Sequence, residues 1–343
     1  MAIRKNPEQI KEEILETLKE KPLSIEQIRL KVESNWSTVS TYLEELSKEG
    51  KVKEIISADK AKIYQRVFGD TYFDIPITDE ERKRFRALFS IIIRKYKDAN
   101  ITPNKTQLAK AAVRVIKTSN NSLSGLPVVE YIYGAIPLMI ANPSEQYSEE
   151  IKLENRTNII KFIESYIEET KEYSTKKIKE RHHVEYCDRL YSLNDDFLKL
   201  TESKEWKKEE VFKILDSFFI ACPIDEEFKE VFTFTERFIS IVRKLSYFDD
   251  LEKNRTKILL TFDALWKFIA TYKFYKSIEN RIPDKDILNL YLGNALFVRK
   301  ACAEEALSDF YSIYWSKIDN RELKISEKAM SAREIMQGWT GEN

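Results

Sequence analysis

At 343 residues, with 43% hydrophobic and 12% aromatic side chains, the chain holds enough apolar material for two or three packed domains, which argues against a disordered polymer. Seven glycines and nine prolines beside abundant Lys, Glu, Ile and Leu disfavour a turn-rich β architecture and favour helices. A formal charge of +0 gives no polyelectrolyte signature, and three widely spaced cysteines, Cys187, Cys222 and Cys302, speak against a disulfide framework and for a reducing compartment.

Met1-Ala2-Ile3-Arg4-Lys5 carries no apolar leader. The longest apolar run, Leu126 to Ala141, is broken by Pro127, Glu130 and Pro137 and is shorter than the roughly 20 residues that cross a bilayer. A cytoplasmic protein without membrane association is the expectation.

Residues 7 to 20 place Ile10, Ile14 and Leu18 on one helical face. Ser24 with Gln27 forms a capping-box pattern that starts a second helix, whose apolar face is Ile25, Ile28 and Val32. After the turn Glu33-Ser34-Asn35, a third helix runs from Trp36 to Glu49 with Val39, Leu43 and Leu46 as its stripe, extended by Trp36. Gly50 suits the left-handed residue that ends it. Two strand-like runs, Val52 to Ser57 and Ala61 to Phe68, then flank Ala58-Asp59-Lys60.

That order, in "LSIEQIRLKVESNWSTVSTYLEELSKEGKV", resembles the winged helix-turn-helix family of DNA-binding domains, most closely bacterial and archaeal regulators. The resemblance implies that the helix after the turn enters a major groove and that the hairpin is the wing. Asn35, Ser37, Thr38 and Thr41 would then meet base edges and phosphates, with Lys48, Lys60 and Lys62 near the DNA backbone. The first turns of that helix carry no Lys or Arg, and residues 1–70 are about neutral, so a domain that binds protein remains the alternative.

Residues 71–80, with Pro76, read as a linker, and Thr78 or Asp79 can cap the next helix. From Glu81 to Thr118 the charge reaches about +9: Arg82, Lys83, Arg84 and Arg86 open a first basic helix, and Lys110, Arg114 and Lys117 form a stripe on a second. Such a stripe suits a phosphate track, unless acidic helices of the same chain cover it. Ser119 to Pro127 is hinge-like, and Val128 to Ile140 is expected to be a buried helix kinked by its prolines.

Seven helical patterns come next, over about 148–172, 175–191, 207–220, 226–247, 251–277, 284–299 and 301–317, and the tail after Asn320 is expected to fray. Their many aromatics read as core, with a hydrophobic ligand pocket as the alternative. The expected organisation is mainly α: a winged helix-turn-helix over 1–70, a linker over 71–80, a basic helical segment over 81–145, an all-helical domain over 146–320 and a tail over 321–343.

Neither Gly-x4-Gly-Lys-Ser/Thr nor Gly-x-Gly-x-x-Gly occurs, so nucleotide hydrolysis is not expected. Glu180 and His183 supply one Glu-x-x-His where a di-iron bundle needs two. His183 and Cys187 share a face but would need distant Cys222 and Cys302 to hold zinc, so no cofactor is expected and a packing role is favoured. The sequence reads as a double-stranded DNA-binding regulator, not an enzyme, whose helical body dimerises, adds basic contacts or engages a protein partner. A symmetric dimer would read half-sites roughly 34 Å apart. A scaffold or accessory subunit in replication or defence is the first alternative, and a metal-dependent nucleic-acid enzyme with an unidentified carboxylate site is the second.

Overall fold

The computed structural model describes residues 6–56, 62–118, 123–200, 202–203, 205–223, 226, 229–246 and 251–339, with side chains through residue 312. It is mainly helical, as the composition requires. Two compact units divide the chain: residues 1–188 with 271–296, and residues 189–270 with 297–343.

The first unit opens with α1 (Pro7–Thr17), β1 (Leu23–Ser24), α2 (Ile25–Val32), α3 (Trp36–Lys48), β2 (Val52–Ile56) and β3 (Lys62–Arg66). Local chemistry sets the starts of α1 and α2. Asn6 with Gln9, and Ser24 with Gln27, form reciprocal capping boxes that satisfy free N–H groups at each helix start. Ile10, Ile14, Ile28, Val32, Val39, Leu43 and Leu46 bury one face of each helix in a single core, which Val52 joins. The sheet order is β1-β3-β2, antiparallel, with Leu23 opposite Tyr64 and Val52 opposite Arg66.

A single 3-10 turn, Tyr72–Asp74, comes after β3. Phe73 and Asp74 both hold left-handed φ values, +58° and +54°, and their side chains are tied down. Asp74 accepts the N–H groups of Phe68 and Gly69 and a 2.7 Å bond from Lys53. Phe73 packs on Tyr131 and Phe274 with ring centroids 5.5 and 5.0 Å away.

Thr78 caps α4 (Asp79–Asp98) with Glu81 as its reciprocal partner, and α5 (Lys105–Thr118) starts at Asn104, which exchanges bonds with Gln107. Residues 128–140 are not the expected kinked helix. They form a hairpin, β4 (Val128–Tyr131) and β5 (Gly134–Pro137), and Thr71 bridges to Met139 just beyond it. A continuous apolar run has no period to tell strand from helix. Here the prolines sit at the outer ends of the strands, and Gly134 turns the chain at φ +84°. α6 (Arg156–Thr170) and α7 (Thr175–Tyr186) complete this part of the unit.

The helix expected to run to Tyr191 stops at Tyr186, because Cys187 is extended and its Sγ accepts the Ala135 N–H at 3.0 Å. A separate α8 (Arg189–Leu200) begins the second unit, followed by α9 (Lys208–Ala221) and α10 (Lys229–Ser246). α11 (Arg255–Glu279) contributes residues to both units, as does α12 (Lys285–Trp339). The second unit's core centres on Phe262, whose ring lies 4.1, 5.2 and 5.8 Å from those of Phe197, Phe218 and Phe238. α12 is one helix, whereas the pattern predicts a break near residue 300, because neither Gly nor Pro interrupts residues 294–337. Among the described residues no helix is long and apolar enough to cross a membrane.

Candidate nucleic-acid interface

The short polar residues of α3 stand at its N-terminal end. Asn35 is the cap: its Oδ1 accepts the Thr38 N–H and the Ser37 hydroxyl, both at 2.8 Å, which leaves its NH2 group to donate outward. The Thr41 hydroxyl donates back to the Ser37 carbonyl at 3.0 Å and keeps its lone pairs as acceptors. Asn35, Ser37 and Thr41 are exposed and Thr38 is half-buried, as a helix with Val39, Leu43 and Leu46 inward requires.

α1 and α2 each carry a glutamate in the first turn, Glu8 and Glu26, whereas α3 carries no acidic residue there. Its N-terminal N–H groups and the positive end of its dipole are therefore not offset by a carboxylate from its own first turn.

Trp36 departs from expectation. It is 54% exposed, one turn ahead of Val39, the first α3 residue that the core covers. Leu30 of α2 is 61% exposed. Helical spacing puts Trp36 in the stripe, but spacing alone does not show where the packing layer ends.

Lys48 is exposed with no ion pair among the described residues, and Lys62 is exposed but bonded to Glu54 at 3.2 Å, which raises its pKa. Lys60 lies outside the described residues. Strand register fixes where the next cations fall. Lys62 pairs with Ile56 at the hairpin-loop end of β3, and Arg66 pairs with Val52 at the other end, about 13 Å away at some 3.3 Å per residue. Arg82 sits over the Phe68 ring at 5.7 Å, beyond that far end, and is paired with Asp70. Burial lowers its pKa, and Arg66 and Arg86 add repulsion.

The expected phosphate track on α4 and α5 is occupied from within the chain. Arg84 bonds Glu80 at 3.0 Å, and Arg86 pairs with Glu145 beneath the Tyr147 ring. Lys83 alone of that group is exposed without an ion pair among the described residues. Lys110 is 1% exposed, and its ammonium donates to the carbonyls of Tyr133 and Ala135 in the hairpin. Arg114 makes a two-point bond to Glu169 at 2.9 and 3.0 Å, and Lys117 donates to the Tyr186 carbonyl at 2.8 Å. That carboxylate is held at about 2, chiefly by its bond from Arg114. These contacts correct the stripe reading at Lys110 and Arg114, which are turned onto β5 and α6, while Lys117 stays exposed and bonds the last carbonyl of α7. Arg82, Arg84, Arg86, Lys110, Arg114 and Lys117 thus bond acidic and carbonyl groups of their own unit.

His182 and His183 are both buried around the hairpin turn, where His182 Nε2 lies 2.9 Å from the Ala135 carbonyl. Burial, reinforced by the Lys110 charge, pushes the His182 pKa well below its usual value, and burial raises the Cys187 thiol to about 11. Both groups are uncharged near neutrality and serve packing. Among the described residues no three His, Cys, Asp or Glu side chains are grouped to hold a metal ion. The chain matches no protein-family model, no curated protein and no solved structure in comparisons with each.

Proposed function

We propose that the chain binds double-stranded DNA through its N-terminal domain, read as a winged helix-turn-helix, and acts as a transcriptional regulator. The observation that carries this reading is the open N-terminal end of α3, with Asn35, Ser37 and Thr41 exposed and no carboxylate in its first turn. Lys48, Lys62 and Lys60 are the expected N-terminal cations left to approach phosphate, the exposed Lys83 of α4 remains beside them, and the bonded cations of α4 and α5 are not part of the interface. Few phosphate contacts mean a shallow salt dependence: about two or three neutralised phosphates give a log–log slope near −2 to −3.

Selection of bound duplexes from a random pool at two salt concentrations tests the proposal. An enriched site, lost when Ser37 and Thr41 are both replaced by alanine, is the expected result. Failure to retain any duplex at low salt overturns it. Exposed Trp36 and Leu30 favour one second reading, a scaffold whose domain docks on another protein. Nuclease-resistant capture of a stoichiometric protein, abolished by Trp36→Ala, would replace the first reading with this one.

A further inference from the structure

α12 continues as a helix through Trp339. From Tyr311 onward its sequence repeats at alternating steps of four and three. Trp315, Glu322, Ala329 and Met336 occupy one seam position, and Tyr311, Ile318, Ile325, Ala332 and Trp339 occupy the other. Glu322 is the single charged residue among them. Carried backward, the same steps reach Ser308, Glu304, Ala301 and Phe297, all exposed, with Phe297 at 70%. Ala303, Leu307 and Phe310, on another face, are buried. Over residues 297–311 these steps therefore follow the side of α12 turned away from its unit's core.

A 3.5-residue repeat stays on one line only when the helix supercoils with a partner helix of matching length. The 29 residues from Tyr311 to Trp339 span about 43 Å at 1.5 Å per residue. The next longest helix, α11, has 25 residues and is part of the packed units. A second copy of this chain offers the same seam at the same length.

Charge selects the direction. In a parallel pair Glu322 meets Glu322 in the seam, and Lys328 flanks Arg333 of the second copy, both repulsive. In an antiparallel pair, position 315 faces 339, 318 faces 336, 322 faces 332 and 325 faces 329. Glu322 then meets Ala332 and Asp319 flanks Arg333 of the second copy twice over, which outweighs the one repulsive pair, Lys328 with its own counterpart. We propose that two copies of the chain associate through an antiparallel coiled coil formed by residues 315–339. This association stands independently of nucleic-acid binding.

Light scattering on the full chain should give twice the 40.5 kDa of one chain. Ile325→Asp should raise the dimer dissociation constant at least tenfold. In a Cys302→Ser background, the double variant Glu322→Cys with Ala332→Cys should cross-link between copies on mild oxidation, while Ala332→Cys alone should not. A monomeric mass for the full chain, or a dimer indifferent to Ile325→Asp, overturns the association. Cross-linking by Ala332→Cys alone overturns the antiparallel arrangement.

Discussion

Replacing Gly134 by alanine shifts stability in opposite directions for a hairpin and for a helix over residues 128–140. Inside a helix, Gly→Ala stabilises by about 0.8–1 kcal/mol. In the hairpin, Gly134 has φ +84°, a left-handed conformation that costs an L residue roughly 1–2 kcal/mol. The new Cβ would stand 2.6 Å from His183 Cδ2 and 2.8 Å from Cys187 Sγ. Neither neighbour yields freely, since His183 is buried and Cys187 is held by the Ala135 N–H. Overpacking of that kind costs typically about 1–3 kcal/mol, which brings the total to about 2–5 kcal/mol. At about 2–4 °C per kcal/mol for a unit of this size, Tm should fall by about 4–20 °C. Gly50→Ala is the control, because Gly50 has φ +69° with nothing within 4 Å of a Cβ, so only the backbone contribution remains. Thermal unfolding followed by circular dichroism compares the two. If Gly134→Ala is as stable as the parent, or no worse than Gly50→Ala, the hairpin geometry and the packing around it are refuted.

Arg114→Gln should lower unfolding free energy by about 1–2 kcal/mol through loss of charge-assisted bonds, and should leave DNA affinity within twofold; a large affinity loss with unchanged stability would restore the phosphate-track reading. Glu169 gives an acid limb with a definite sign. Its carboxyl, at about 2 when folded against 4.5 as the ordinary value, contributes fully above about pH 4.5 and loses that contribution as pH falls toward 2. With solvent screening at a one-third exposed group, about 1–2 kcal/mol should separate the parent from Glu169→Gln in urea unfolding at pH 7 and nearly vanish near pH 2. Phe274→Ala removes a fully buried ring from Phe73 and Tyr131 and should cost about 3–5 kcal/mol, with hydrogen-exchange protection lost around residues 72–75 and 128–131; protection that persists there contradicts the contact.

What the sequence made legible was local. The Ser24–Gln27 box and a cap at Thr78 or Asp79 marked helix starts from neighbouring residues, and the Val39, Leu43 and Leu46 stripe set which side of α3 is inward. Long-range partners were not legible. Arg114 and Glu169 are 55 positions apart, and Lys110 meets a hairpin whose existence its own apolar run concealed, so unbalanced charge in one segment looked like surface. Spacing could group Lys110, Arg114 and Lys117 on one face, but only the fold shows which neighbour that face meets. On α3 the polar face was readable, while the exposure of Trp36 was not, because spacing does not show where the packing layer ends.

The return of residues 271–296 to the first unit bears on how the protein is made. On the ribosome, the Phe73 and Tyr131 rings must wait for Phe274, and Glu81 for Arg281, which bonds it in the finished fold. Translation at roughly 5–20 residues per second makes that wait about 7–40 s, during which the intervening stretch emerges and can collapse first. A fragment ending at residue 188 would carry these surfaces permanently bare and should demand a chaperone, so expression trials that trim the gene there would mistake an unfinished unit for an insoluble protein.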